Sequence, residues 1–223
     1  MEVQVAGAPV VWLAGAPLVL LAERAAFLPA ERTLLVADAH IGKAMSFRKL
    51  GVPVPAGTTE TTLALLDTLL QRTGAARIVF LGDLLHSAQA RAPWRAVAAW
   101  RERHAGLELV LVRGNHDRHA GDPPADWRVA CVDEPMRTGP FALAHHPEPV
   151  HGAYVLAGHV HPAAVVGTRS ERLRLPCFHF GPQVGVLPAF GAFTGMHVLP
   201  RGPGDRVFVI ADDTVRALHS PPP

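Results

Sequence analysis

Thiols are scarce in this chain: 223 residues hold only two cysteines, Cys131 and Cys177. They stand far apart, and neither has a second cysteine at ligand spacing. That argues against a disulfide framework and leaves reduced thiols as the expectation. Long apolar runs are lacking too. The longest near the N-terminus, Ala14 to Ala22, is interrupted by Pro17 and is too short to cross a bilayer. Glu2 is the only charge before Glu23, so no basic segment of a signal peptide precedes that run. No membrane partner is expected, and the cytoplasm is the expected compartment. A strong net charge is also missing. At +2 with histidine neutral, no global field draws in polyanions, so a nucleic-acid contact needs a local basic patch or bound cations. Repeats and low-complexity segments are absent apart from the Pro221–Pro223 tail.

What is present is a globular composition, 49% hydrophobic and 18% charged, with 21 prolines and 20 glycines that imply many turns and short elements. The length suffices for a sizeable core. With no evident linker, a single domain over residues 1–223 is expected. Val3 to Val11 and Pro17 to Leu28 read as strands, and Thr33 to Ala37 as a short one. Residues 58–72 read as a helix with Thr58 as N-cap, Leu63, Leu66 and Leu70 on one face and Gly74 as its stop. Arg77 to Leu81 and Leu107 to Val112 read as strands on either side of a second helix, Pro93 to Arg103. Beyond Asp126 the apolar runs read as strands without a strong helix between them: Arg128 to Val132, Pro140 to Ala144, Ala153 to Ala157, Ala163 to Val166, Met196 to Leu199 and Arg206 to Ile210. Strand–helix alternation followed by a β-rich half points to an α/β domain built on two sheets.

Chemistry-bearing residues collect at the ends of these strands. Asp38-Ala39-His40 follows Thr33–Ala37, Gly82-Asp83 follows Arg77–Leu81, and Arg113-Gly114-Asn115-His116-Asp117-Arg118 follows Leu107–Val112. His145 and His146 close the run ending at Ala144, and His159-Val160-His161 follows Gly158. In extended backbone, residues i and i+2 project to one side, so Asp38 with His40, and His159 with His161, are expected to point together. Each pair alone reads equally well as a surface loop, a capped turn or a hydrogen-bonded histidine. Five clusters, each at the C-terminal end of a strand, are harder to explain as loop decoration, because that is where ligands gather in open α/β sheets.

Imidazole, carboxylate and amide oxygen without thiolate suit Mn²⁺, Fe or Zn²⁺ rather than a structural cysteine-based zinc site. The ligands are too many for one ion with an open position but suit two. Two such ions, about 3.5–4 Å apart and sharing a carboxylate, clamp a phosphoryl group and activate water. Phosphoester hydrolysis is the chemistry this set implies.

These blocks resemble the pattern of the calcineurin-like metallophosphoesterases: Asp-x-His at Asp38 and His40, Gly-Asp at Gly82-Asp83, Gly-Asn-His-Asp at Gly114 to Asp117, a strand-ending His145, and Gly-His-x-His at Gly158 to His161. The resemblance implies a four-layer α/β/β/α sandwich of two mixed sheets flanked by helices. It implies one metal held by Asp38, His40, Asp83 and His161, and a second by Asp83, Asn115, His145 and His159. Asp83 would bridge, and His116 would protonate the leaving oxygen. His146 occupies a place usually held by glycine, so His145 is the expected ligand.

The nearer resemblance is to the bacterial ligase-associated DNA-damage-response endonucleases and phosphodiesterases (PdeM-like). It rests on Ala37 to Lys43, Phe47-Arg48, Gly51 to Pro55, His161-Pro162, Leu175 to Phe178 and Leu187 to Gly195. It implies a manganese-dependent hydrolase of phosphodiesters, acting on single-stranded DNA in repair alongside a DNA ligase, a helicase and an exonuclease. A homo-oligomer is compatible with it. Ser/Thr phosphatases of the superfamily carry Asp then Arg where this chain has His86 and Ser87. That departure argues for a nuclease and leaves the partner that orients His116 open. His86 is expected to stabilise the phosphate, and Arg48 to contact a phosphodiester, as Lys43 and Arg118 could. His151, His179 and His197 are expected outside the site, and Trp94 and Trp100 in packing. Two other readings stand beside this one. The first is a diesterase or pyrophosphatase for cyclic nucleotides or lipid-linked substrates. The second is an inactive scaffold, against which the complete ligand set argues.

Overall fold

The computed structural model describes residues 5–49, 51–55, 57–86, 94–168 and 171–218. The start of the first expected strand at Val3, together with Ser87, Pro93 and the Pro221–Pro223 tail, lies outside them. One sheet is built, in spatial order, from β1 (Val10–Leu13), β2 (Ala16–Leu21), β3 (Ala25–Leu28), β4 (Thr33–Ala37), β5 (Arg77–Leu81), β6 (Glu108–Val112) and β7 (Val129–Val132). The first four strands form an antiparallel meander, and among the described residues the helices begin after β4, as the sequence suggested. From β4 to β7 the pairing is parallel, with α1 (Lys43–Lys49), α2 (Thr58–Thr73), α3 (Trp94–Arg103) and α4 (Asn115–Ala120) in the crossovers. Parallel pairing brings the C-terminal tips of β4, β5 and β6 to one edge.

The run Pro17–Leu28, expected as one strand, is a hairpin. The chain reverses through Ala22-Glu23-Arg24, where Arg24 adopts φ 62° and donates its N–H to Leu21 O at 3.1 Å. Helix α2 takes Gly57 rather than Thr58 as its cap, without a side-chain bond. It ends as expected at Gly74, whose φ of 61° and N–H bond to Leu70 O close the last turn.

The second sheet carries β8 (Met136–Thr138), β9 (Phe141–Leu143), β10 (Tyr154–Ala157), β11 (Pro162–Gly167), β12 (Arg172–Phe180), β13 (Val184–Val186), β14 (His197–Val198), β15 (Arg206–Ala211) and β16 (Thr214–Leu218). Its spine runs β14-β11-β12-β13-β10-β9-β8, with β15 and β16 added beside β12. Within it, β9, β10 and β13 run parallel, which aligns the tips that bear His145 and His159. Strand β12, unforeseen because Pro176 interrupts its pattern, pairs with β11 up to Pro176. It then changes partners to β13 and β15, the change falling where the missing N–H is harmless.

Two apolar cores fix the layers. Leu63, Leu66 and Leu69 of α2, with Val97 and Trp100 of α3, pack on Leu34, Val36, Ile78, Phe80 and Leu111 of the first sheet. Its opposite face (Leu35, Ala37, Val79, Leu81, Val110 and Val112) meets Phe141, Leu143, Leu156, Phe178 and Phe180 of the second sheet and Leu187 just beyond β13. Alternate residues along β4 to β6 therefore enter different cores, so beyond their first residues these strands are apolar and buried on both faces. The result is the expected α/β sandwich of two mixed sheets flanked by helices. Its rigid centre holds the strand tips.

Candidate metal centre

The tips do not continue the pleat, as the i, i+2 expectation assumed. Asp38 (φ 52°), His40 (44°), Asp83 (51°), His159 (69°) and His161 (52°) all adopt left-handed backbone. Such a conformation is unfavourable for a residue with a side chain, and positions of this kind cluster where surrounding structure enforces them for function. Here hydrogen bonds enforce them. The His40 N–H donates to Asp83 O at 2.8 Å, and that of Ile41 to Leu84 O at 2.8 Å. The His159 N–H donates to Asp38 Oδ2 at 2.8 Å, and the His116 N–H to Asp83 Oδ1 at 3.0 Å. Gly82 and Gly158 permit close approach: a Cβ on Gly82 would enter the His145 ring, and one on Gly158 would strike the Asp38 carboxylate.

The expected metal ligands fall into two groups that meet at Asp83. In the first, one ligand atom each from Asp38, His40 and His161 lies within 4.8 Å of the others. His161 Nε2 is 3.5 Å from Asp38 Oδ1, and His40 Nε2 is 3.8 Å from Asp83 Oδ2. In the second group, His145 Nε2 lies 2.9 Å from Asn115 Oδ1, 3.0 Å from His159 Nδ1 and 3.6 Å from Asp83 Oδ1. Asp83 thus turns one carboxylate oxygen toward each group.

The donor set fits divalent cations. Asp38 and His145 are fully buried, and Asp38 Oδ1 and His40 Nδ1 have no hydrogen-bond partner among the described residues. His145 Nδ1 lies 3.1 Å from Leu81 O. A proton shared there leaves Nε2 as a lone pair facing the oxygens of Asn115 and Asp83, acceptor against acceptor, which a cation relieves. Burial, reinforced by the charges of Lys43 and the neighbouring histidines, pushes the His40 pKa down to about 2. Burial likewise lowers that of His159. Both rings are then neutral, the form that ligates.

His116 stands beside the two groups, its Nε2 4.0 Å from Asp83 Oδ2 and its side chain 44% exposed. The His86 ring stacks against it with centroids 5.8 Å apart and an interplanar angle of 25°. Burial lowers the His86 pKa as well, and its Nδ1 has no partner among the described residues. Burial lowers the Lys43 pKa, offset in part by the nearby carboxylates of Asp38 and Asp83. Arg48 is directed elsewhere, its guanidinium donating to Val54 O at 3.1 Å and to Pro55 O. Arg118 is exposed. Outside both groups, His179 pairs with Asp205 at 2.8 Å, His197 Nδ1 lies 3.1 Å from Val160 O, and His151 is exposed. The Trp100 indole donates to Asp67 at 2.6 Å, and Trp94 packs against Trp127.

Two supporting carboxylates were not assigned from the sequence. Asp117 accepts N–H bonds from Asp83 (2.6 Å), Gly114 (2.9 Å) and Leu84 (3.0 Å), tying the β5 tip to the β6 tip. Its place in the Gly114–Asp117 run was the available signal. Glu134 accepts from the N–H groups of His145 (2.8 Å) and His146 (2.9 Å), while its other oxygen meets His146 Nδ1 at 2.7 Å. It holds the backbone so that His145 faces inward. His146 turns to Glu134, though its ring centroid still lies 4.6 Å from that of His159. Nothing in the sequence around Glu134 signals that role.

A family model described as calcineurin-like phosphoesterase matches residues 31–139. The crystal structure of Pseudomonas putida nuclease MPE is 47% identical over 95% of this chain and 100% of its own, with a TM-score of 0.84. A phosphoesterase from E. coli, Yfce, is 16% identical over 81% of this chain and 88% of its own, with a TM-score of 0.38 too low to carry an argument. No curated protein sequence matches.

Proposed function

Since the chain belongs to the calcineurin-like phosphoesterase family and is a metal-dependent phosphoesterase, we propose that it hydrolyses phosphodiesters of single-stranded DNA. The observation that carries this reading is the division of Asp83 between two ligand groups, Oδ2 toward His40 and Oδ1 toward His145. Its likeness to a nuclease supports the choice of nucleic acid.

Asp38, His40, Asp83 and His161 would hold one divalent cation, and Asp83, Asn115, His145 and His159 the other, with Mn²⁺ the ion we assign. When bound, such a pair supplies Lewis-acid stabilisation of the phosphoryl oxygens and water acidified toward neutrality. The chain's own residues do the rest. His116, solvent-facing beside Asp83, gives a proton to the departing alkoxide. His86 stacks on His116 and holds its ring in place. Lys43 adds positive charge for a non-bridging phosphate oxygen. Asp117 and Glu134 hold the backbone from which the ligands project.

The wider proposal is a cytoplasmic repair enzyme, one domain over residues 1–223, working beside a DNA ligase, a helicase and an exonuclease. The small net charge of +2 also suits a small-molecule diesterase. A panel of labelled single-stranded DNA, duplex DNA, cyclic nucleotides and a lipid-linked pyrophosphate, run with Mn²⁺, Mg²⁺ and Zn²⁺, separates the two. Fastest turnover of single-stranded DNA with Mn²⁺ is expected. Preference for a cyclic nucleotide or the lipid substrate would overturn the nuclease reading.

A further inference from the structure

The loop after β13 is strapped onto the tip of β4. The Phe190 N–H donates to Ala37 O at 2.8 Å, and the Gly191 N–H to Asp38 O at 3.1 Å. A Cβ on Gly191 would run into the Ala39 carbonyl, so the two backbones are in direct contact. This strap carries Phe193, which is 44% exposed and adopts φ 62°. A large aromatic side chain in left-handed backbone, left half in solvent, gains little from burial for the strain it carries.

Phe193 stands where two hollows join. A narrow crevice bounded by His40 and Lys43 shares Thr58, Thr62, Ala192 and Phe193 with a cavity of about 720 Å³. The cavity therefore adjoins, across these shared residues, the crevice that His40 and Lys43 line. Its charged lining is mainly acidic. Asp212, Asp213 and Glu23, whose Oε1 pairs with Arg72, line the cavity against a single lining cation, Arg24, whose pKa burial lowers. Glu23 Oε2 is buried with no hydrogen-bond partner among the described residues, an acceptor without a donor. Carboxylates repel a phosphate backbone but accept hydrogen bonds from exocyclic amines of bases.

We propose that Phe193 is a stacking platform for a nucleobase adjoining the scissile phosphate, and that the cavity beside it receives that base with its amino edge toward Glu23. This rests on the nuclease reading and deepens it. Lys43 and the metal-ligand groups take the phosphate, while the acidic cavity takes the base, so charge sorts the two halves of one nucleotide. The occupant is a base of a single strand, since a base paired in a duplex offers no free face to an aromatic ring.

The test compares wild type with Phe193→Ala and Phe193→Trp on two Mn²⁺-supported substrates: a single-stranded oligonucleotide, and the same oligonucleotide made abasic around the cleavage position. Stacking remote from the reacting bond is uniform binding, so it is read in KM. Phe193→Ala should raise KM on the natural oligonucleotide about 5- to 100-fold, the span one stacked base contributes, with kcat held within about threefold. On the abasic oligonucleotide, wild type and Phe193→Ala should share the same raised KM, and Phe193→Trp should keep the wild-type preference. Glu23→Gln should narrow the preference for cytosine over thymine at that position. Equal KM changes on both oligonucleotides, or none on either, would overturn the platform while leaving the nuclease reading intact. Wild type that turns over an aryl phosphodiester but neither oligonucleotide would overturn both.

Discussion

Asp117 holds Asp83 by its backbone: the N–H of Asp83 donates to Asp117 Oδ2 at 2.6 Å, and the same oxygen takes the N–H of Gly114 at 2.9 Å. One buried carboxylate therefore locks the turn that carries Asp83 to the turn that carries Asn115 and His116. Burial drives the Asp117 carboxyl above its usual range, opposed by the N–H groups it accepts.

Asp117→Asn keeps one acceptor oxygen and replaces the other with an amide donor aimed at backbone N–H groups. A loss of about 1–3 kcal/mol in stability is expected from the unsatisfied donors. A fall in metal affinity of about 10- to 100-fold should accompany it. Chemical denaturation and metal titration check both, and wild-type values in each would remove Asp117 from the account.

Glu134 should behave as the corresponding clamp on the second sheet. Glu134→Ala frees the N–H groups of His145 and His146 and the His146 ring. Metal affinity should drop about 10- to 100-fold while the fold persists by circular dichroism. The Glu134 carboxyl is burdened by burial but held below its usual range by these donors. Its contribution to stability is therefore full above the unfolded carboxylate pKa and fades as pH falls through the lowered one. Denaturation midpoints from pH 7 to pH 3 should fall less steeply for Glu134→Gln than for wild type.

Gly82→Ala places a methyl group where the His145 ring stands, at a backbone φ of 77° that alanine disfavours. A destabilisation of about 2–4 kcal/mol, with activity lost, is expected from the overpacking and strain. Tolerance of alanine with a full rate would show that His145 does not occupy that position in solution.

The thiols should be inert. Burial raises the Cys177 pKa to about 12 and that of Cys131 to about 11, so thiolate is rare at pH 8. Iodoacetamide followed by mass spectrometry should find Cys177 unlabelled until denaturant is added, and Cys131 labelled far more slowly than a free cysteine. Rapid labelling of Cys177 in the native protein would contradict the packing around β12.

Much of the site was legible because each ligand cluster directly follows a run of apolar residues. Asp38 after Thr33–Ala37 and Asp83 after Arg77–Leu81 place side chains at strand tips from local pattern alone. The turn geometry was not legible, because the left-handed conformations of Asp38, His40 and Asp83 depend on hydrogen bonds between chain segments far apart in sequence. Glu134 escaped notice for a similar reason. Its partners are the backbone N–H groups of His145 and His146, which leave no mark on residue type. Arg48 carried a misleading signal: a cation near the Asp38 cluster in sequence, yet its donors satisfy the carbonyls of Val54 and Pro55. Strand β12 was hidden by Pro176, which a change of pairing partner accommodates. In each case the missing information lay in contacts between segments.

Metal stoichiometry against Asp83 is the most direct measurement. Wild-type protein stripped with chelator and titrated with Mn²⁺ should bind two ions per chain, assayed beside turnover of an aryl phosphodiester. Asp83→Ala should bind at most one ion and lose turnover while its circular dichroism stays unchanged. Two ions bound with similar affinity by Asp83→Ala, together with a wild-type rate, would contradict the shared carboxylate on which the account rests.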